Sequence, residues 1–146
     1  MGLLDEVKSR LPEGVVEKME LEGCEVVVYT KDESFFRRAE EFVKPVVMEV
    51  KKRIEVRADP SIRRDPEEVR EIIARTVPED AGVRDVWFEA ERGIVVIEAE
   101  KPGLVIGKGG EVLRRIRSES LWSPRIERVP PVRSDVVEGI RRMMRR

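Results

Sequence analysis

Four consecutive residues, Gly107-Lys108-Gly109-Gly110, carry the chemistry most easily read from this chain. Three glycines in four positions permit left-handed backbone angles and the close approach of another molecule's backbone. The apolar run Ile94–Ile97 precedes them, and Val112, Leu113 and Ile116 follow at helical spacing. A glycine loop feeding a helix places backbone amides at the positive end of that helix, where an anion is stabilised. Lys108 adds a mobile ammonium at the tip, so the arrangement suits phosphate.

The spacing decides which phosphate. A nucleotide-binding P-loop requires four residues between its glycines and a hydroxyl after the lysine. Here only three residues separate Gly103 from Gly107, and Gly109 follows Lys108. The dinucleotide fingerprint G-x-G-x-x-G is absent as well. An ordinary strand-to-helix turn remains the plain alternative. The pattern that fits is Ile-Gly-x-x-Gly with apolar residues three and six positions on: Ile106, Gly107, Gly110, Leu113 and Ile116. This is the KH pattern, in which the loop clamps about four nucleotides of single-stranded nucleic acid. Ile106, Gly107, Lys108, Gly109, Gly110, Leu113, Arg114 and Arg117 are the candidate RNA-binding residues. Lys108 and Gly109 lie between the two motif glycines, so substitution there is expected to leave Gly107 and Gly110 unforced and the fold intact.

Residues 101–146 closely resemble the KH region that precedes the nuclease domain in archaeal homologues of the cleavage and polyadenylation specificity factor. The likeness rests on KPGLVIGKGG, the Trp122-Ser123-Pro124 step, the Pro130-Pro131 pair and the stretch Val136–Arg142. It extends less sharply over residues 1–100. The resemblance implies a role in RNA 3′-end formation or transcription termination, with U-rich RNA as a candidate ligand. It also implies a metallo-β-lactamase and β-CASP ribonuclease domain, in the same or a partner polypeptide, to which any zinc would belong. The chain is therefore expected to be either an excised fragment or a naturally separate protein, with no cofactor of its own. Two other functions stay open: a free-standing KH protein of the ribosome or transcription apparatus, and a KH-fold protein-interaction scaffold.

Composition sets the bounds. The 146 residues are 40% apolar and 40% charged, with one cysteine and no histidine. Without histidine there is no Ser-His-Asp triad and no Cys/His zinc finger. Thirty acids make any carboxylate pair more readily a solvated face than an acid–base couple, so no catalytic residues are assigned. A lone Cys24 forms no internal disulfide and fits a reducing cytoplasm. No apolar run approaches the length of a membrane span. The net charge is −1, but unevenly placed: residues 101–146 hold twelve bases and five acids, a net of +7, leaving −8 for residues 1–100. The basic end is the one expected to meet a polyanion.

The elements that must position the loop occur twice. Leu4, Val7 and Leu11 have helical spacing; strands are expected over Val15–Leu21 and Cys24–Tyr29, and a helical region runs from Phe35 to Val50. Pro45 is expected to kink that region or restart it. A strand, Ile54–Ala58, and a charged link follow. Asp65 and Pro66 then open a second helix in the manner of an N-cap and first turn. Strands around Val86–Ala90 and Ile94–Ala99, the glycine loop with its helix, and a strand near Ile126–Val129 complete the second copy. A shift of seventy residues lays Gly23 on Gly93, Val26 on Val96 and Lys31 on Lys101.

The fold expected is α+β, with two tandem type II KH-like domains in the order helix-strand-strand-helix-helix-strand. The boundaries expected are 1–64 for a degenerate domain lacking GxxG, 65–132 for the KH domain with the GKGG loop, and 133–146 for a C-terminal helix. In the first copy Arg37-Arg38-Ala39-Glu40 occupies the position of the glycine loop, in what reads as unbroken helical periodicity. Arg37 and Arg38 could then touch RNA only as point charges. Trp122 is expected to pack rather than stack on a base, while Val105, Ile106 and Leu113 are candidates for an aliphatic groove floor. Incubated with RNA, with or without zinc, the repurified chain is expected to yield no cleavage products on a denaturing gel. Cleavage abolished by a point substitution within 1–146 would contradict that.

Overall fold

In a computed structural model, residues 2–131 are described; the segment expected to form the C-terminal helix lies outside them. The described residues form two three-stranded sheets, each with helices on one face and each built in the same order. The first contains α1 (Leu3–Arg10), β1 (Lys18–Glu22), β2 (Glu25–Thr30), α2 (Glu33–Arg37), α3 (Ala39–Val50) and β3 (Ile54–Ala58). The second contains α4 (Pro66–Thr76), β4 (Val83–Glu89), β5 (Ile94–Ala99), α5 (Pro102–Ile106), α6 (Glu111–Ser120) and β6 (Ser123–Arg128). In each sheet the first two strands pair antiparallel across a hairpin and the last joins the middle strand in parallel. Two tandem KH domains of type II order account for this architecture. Gly23 and Gly93, matched by the internal repeat, both take positive φ at the hairpin turns, 62° and 68°.

The middle strands carry the cores. Val26 and Val28 face the helices of the first domain beside Val7, Phe35, Phe36 and Val43. Val95 and Ile97 do the same in the second, against Val69, Ile73, Val105 and Ile116. Asp65 caps α4 by accepting the amide of Glu67 at 3.2 Å, with Pro66 in the first turn. Trp122 is buried in the second core, edge-on to Phe88 with ring centres 5.0 Å apart; its indole N–H donates to the Arg64 carbonyl at 2.8 Å. Its role is packing.

The helical region from Phe35 to Val50 departs from expectation. It is interrupted at Arg38 (φ −103°, ψ 15°), not at Pro45, which lies inside α3. Pro45 leaves the Glu41 carbonyl without its helical donor, but both residues are exposed and water can satisfy that group. At Arg38 the chain turns tightly instead: its amide bonds back to Ser34, and the Glu41 amide bonds to its carbonyl at 3.1 Å.

Arginines join the two domains. Arg117, on α6, lies over the Phe36 ring at 3.8 Å and donates to the carbonyls of Phe36 (2.7 Å) and Val56 (2.9 Å). Arg63, in the link, donates to the carbonyl of Ala58 at 2.9 Å and to that of Ala90. Val56 and Ala58 lie two residues apart on β3, an edge strand whose outward carbonyls would otherwise face only solvent. Gly93 leaves room where Arg63 crosses: a Cβ there would stand 2.6 Å from its guanidinium carbon, and the arginine would have to shift. Consecutive residues after α6 then enter different cores, Leu121 the first and Trp122 the second. Leu121 does so at φ +60°.

A second ionic cluster lies on the sheet face away from the helices. Arg57, fully buried on β3, donates to both oxygens of Glu22 (2.6 and 3.0 Å), to Glu55 (2.9 Å) and to the Tyr29 hydroxyl (3.1 Å). From the second domain Arg92 pairs with Glu22, and Arg125 with Glu55 at 3.2 Å. Burial, which would lower the Arg57 pKa, is overcome by these hydrogen bonds and the pKa is raised. The Arg57 hydrogen bond is the main reason that the Glu22 carboxyl is held down at about 2, with Arg92 assisting against burial.

Because the folded-state pKa of Glu22 lies below the ordinary carboxylate value, its contribution to stability is complete above about pH 4.5 and is lost as pH falls towards about 2. Glu22→Gln is expected to cost roughly 1.5–3 kcal/mol at pH 7, the range for hydrogen bonds to charged groups. Urea unfolding should show the gap between variant and parent closing below pH 4.5. A gap independent of pH would contradict the assignment.

Candidate nucleic-acid interface

The Gly107–Gly110 loop joins α5 to α6, and all three of its glycines have positive φ: 79° at Gly107, 63° at Gly109 and 80° at Gly110. Gly107 is fixed twice over, since a Cβ there would lie 2.5 Å from Val112 Cγ2 and 2.9 Å from its backbone nitrogen. Gly109 has open space around it, but its φ makes it a left-handed position. Of the two inner positions, a substitution at Gly109 therefore meets a left-handed backbone, whereas Lys108 already carries an exposed side chain.

The loop's amides divide into two sets. Gly110 donates back to the Gly107 carbonyl and Glu111 to that of Lys108, closing a tight turn before α6. Among the described residues the amides of Lys108 and Gly109 have no backbone acceptor. α6 begins without a side-chain cap, so the first-turn donors of a ten-residue helix stand beside those two amides. Lys108 is exposed at the tip. Arg114 reaches back one turn and donates to the Gly109 carbonyl at 2.6 Å, which holds a guanidinium against the loop. Ile106 and Leu104 flank it with 40% and 38% of their surface exposed, and Leu113 is half-buried on α6. Glu111, exposed in the first turn, is the carboxylate nearest in sequence.

Seven of the eight candidate residues, Ile106 through Gly110 with Leu113 and Arg114, thus lie at the loop and the first half of α6. Arg117 does not join them. Burial pushes its guanidinium down to about 10, against the pull of Glu55 and Glu40, and both of its terminal nitrogens are engaged by first-domain carbonyls. It is corrected to an inter-domain anchor. Val105 is likewise unavailable as groove floor, being fully buried in the second core.

The first domain presents no counterpart of the loop. The stretch from Arg37 to Glu40 spans the interruption at Arg38, but its arginines are already engaged, within the first domain and across to α6. Arg37 donates to the Ser118 carbonyl at 3.0 Å and pairs with Glu33; Arg38 pairs with Glu41 at 3.0 Å and lies over the Phe42 ring. Sequence reasoning did not single out a groove of about 1030 Å³ between α3 and α6, with Val43, Val47 and Met48 on one side and Leu113 on the other. The available signal was the width of the α3 stripe: Met48 extends it beyond what one sheet covers and remains 66% exposed. Among the described residues no cluster of three or more His, Cys, Asp or Glu side chains could hold a metal, and no helix is long and apolar enough to cross a membrane.

The fold and the loop define the class: this is a tandem KH protein. The family comparisons agree. Residues 68–121 match the family described as KH domain, and residues 1–63 match the one described as transcription termination factor FttA, KH domain. The chain is similar over nearly all its length to proteins named transcription termination factor FttA. With that of Methanothermobacter thermautotrophicus it shares 41% identity over 99% of the chain and 23% of the relative. With that of Pyrococcus abyssi it shares 37% over 98% of the chain and 22% of the relative, and with that of Methanosarcina mazei 37% over 99% and 23%. The chain therefore spans less than a quarter of the length of these relatives.

The glycines make a graded prediction. Gly107→Ala meets both a left-handed backbone and the Val112 side chain, and is expected to destabilise the second domain by about 2 kcal/mol or more. Gly109→Asn meets only the backbone term, at a position asparagine tolerates, and is expected to cost less than about 1 kcal/mol. Chemical denaturation of the two variants should rank them in that order; the reverse order would contradict the loop geometry.

Proposed function

We propose that the chain binds single-stranded RNA through the Gly107–Gly110 loop of its second KH domain, as the RNA-recognition part of a transcription termination factor. The observation that carries this reading is the loop itself. Three left-handed glycines leave two backbone amides unused at a helix start, with one lysine at the tip and one arginine held against it. Phosphates would meet those donors, while Ile106 and Leu113 offer apolar surface to the adjoining bases. The first domain, without a glycine loop, acts mainly through its firm attachment to α6.

The role in termination rests on the similarity to proteins of that name. The finer reading, delivery of RNA to a metallo-β-lactamase and β-CASP ribonuclease domain of the same or a partner polypeptide, rests on the resemblance described from the sequence. On this reading hydrolysis belongs to that other domain, and residues 1–64, 65–132 and 133–146 are a supporting domain, a binding domain and a connecting segment.

Replacing Lys108 and Gly109 together by Asp would place two carboxylates where amides and an ammonium stood. Two or three phosphates held by the loop correspond to a log–log salt slope of roughly −1.4 to −2.1 for a single strand. The double variant is expected to bind a labelled single-stranded RNA at least about tenfold more weakly, which is about 1.4 kcal/mol. Aspartate is among the residues that visit left-handed angles, so circular dichroism should still report a folded chain. Fluorescence anisotropy at several salt concentrations makes the measurement. A folded variant that binds like the parent at every salt concentration would refute the assignment.

A further inference from the structure

The groove between α3 and α6 is continuous with the glycine loop. Gly110 and Glu111 line one end of it; Ser118, with Ser123 and Pro124, lines the other. It therefore follows α6 for nearly its whole length, about 15 Å at the rise of an α-helix. Its floor is aliphatic, and one wall belongs to the first domain, where Val43 and, one turn further along α3, Val47 and Met48 lie opposite Leu113. Its volume of about 1030 Å³ is at the upper limit of small-molecule sites, which occupy about 300–1,000 Å³.

The groove lining carries more cations than carboxylates. Its lining holds Arg37, Lys44, Arg114, Arg115 and Arg117 against Glu40, Glu55 and Glu111. Arg117 is engaged with first-domain carbonyls, and Glu55 is neutralised by Arg57 and Arg125. Arg37 is paired with Glu33 and Arg115 with Glu119, which leaves Lys44 and Arg114 beside Glu40 and Glu111 within a lining of five cations and three carboxylates. Lys44 is exposed and has no carboxylate partner among the described residues. A cationic rim over an aliphatic floor matches a single strand that keeps its phosphates in water and turns its bases inward.

We propose that this groove receives the RNA nucleotides adjoining those held at the glycine loop, so that the domain lacking GxxG supplies one wall of the RNA site. The footprint then exceeds the roughly four nucleotides of a single KH loop. Specificity at the additional positions is set by α3 side chains of the first domain. Met48, flexible and polarisable, is suited to lie against a base there. This inference rests on the RNA-binding reading given above.

The test uses the full chain and two labelled single-stranded RNAs of mixed sequence, four and eight nucleotides long. Three variants are compared with the parent. The groove variant is Lys44→Glu with Met48→Gln, both at exposed helix positions. A control, Lys52→Glu, makes the same charge change at an exposed position outside the groove. The third is the Lys108→Asp, Gly109→Asp loop variant. The parent is expected to bind the eight-mer at least about fivefold more tightly than the four-mer. The groove variant should lose at least about fivefold in affinity for the eight-mer, while the control stays within about twofold of the parent. Circular dichroism verifies that each is folded. If the groove variant binds the eight-mer as the parent does and the loop variant does not, the groove proposal is overturned and the loop reading stands. If the loop variant also binds as the parent does, both fall. Unchanged RNA affinity together with an altered oligomeric state in gel filtration would assign the groove to a second copy of the chain and overturn the proposal.

Discussion

A buried guanidinium has to find acceptors for its donors, and that requirement at Arg117 fixes much of this structure. The side chain leaves α6 in the second domain and ends on two carbonyls of the first, Phe36 and Val56, with the Phe36 ring beneath it. Neither acceptor would be free in regular structure. In a continuous helix the Phe36 carbonyl would take the Glu40 amide; the interruption at Arg38 releases it. The Val56 carbonyl is available because β3 is an edge strand, and Arg63 covers the next outward carbonyl, that of Ala58. An irregular helix and an exposed strand edge, each a liability alone, become the socket for a neighbouring domain.

The same constraint explains why the two copies of the fold differ. In the second, the position after the first short helix opens into three left-handed glycines and its amides face outward. In the first, the equivalent position is also a break, but Arg37 and Arg38 are tied to Ser118, Glu33 and Glu41, and the carbonyl released there faces α6. One copy presents backbone donors and the other a backbone acceptor. The acceptor is met by an arginine on the helix that starts at the donors. Because α6 runs from the loop at Gly110 to Leu121 in the first core, the loop's position relative to the first domain is set within a single helix.

Much of this was legible in the sequence. Alternation and turn glycines located the hairpins, and the seventy-residue shift paired Gly23 with Gly93. Ile-Gly-x-x-Gly located the loop and the residues around it. The break at Arg38 was not visible, because Ser34 to Glu41 contains no glycine or proline and its apolar positions keep helical spacing. Periodicity reports which face is buried, and two helices can share a face across a short interruption. The internal repeat held the missing signal: alignment on the glycine loop put a discontinuity where Arg38 lies. Arg117 was misread for a related reason. On an amphipathic helix an arginine beside buried Ile116 looks like the solvent edge of the stripe. Only the other domain makes it interior.

The charge asymmetry takes on a more specific meaning once these contacts are known. A net of +7 over residues 101–146 suggested a basic face for a polyanion. Yet Arg117 is engaged within the protein, and Arg125 pairs with Glu55. Arginine suits such contacts, since its planar fork satisfies two acceptors at once and it is weakly hydrated. Lys108 and Lys44, by contrast, are exposed on the loop and on α3. A lysine ammonium, flexible and strongly hydrated, acts as a point charge that can follow an anion without demanding a fixed geometry. Arg117 and Arg125 hold the domains in register, whereas Lys108 and Lys44 stay exposed.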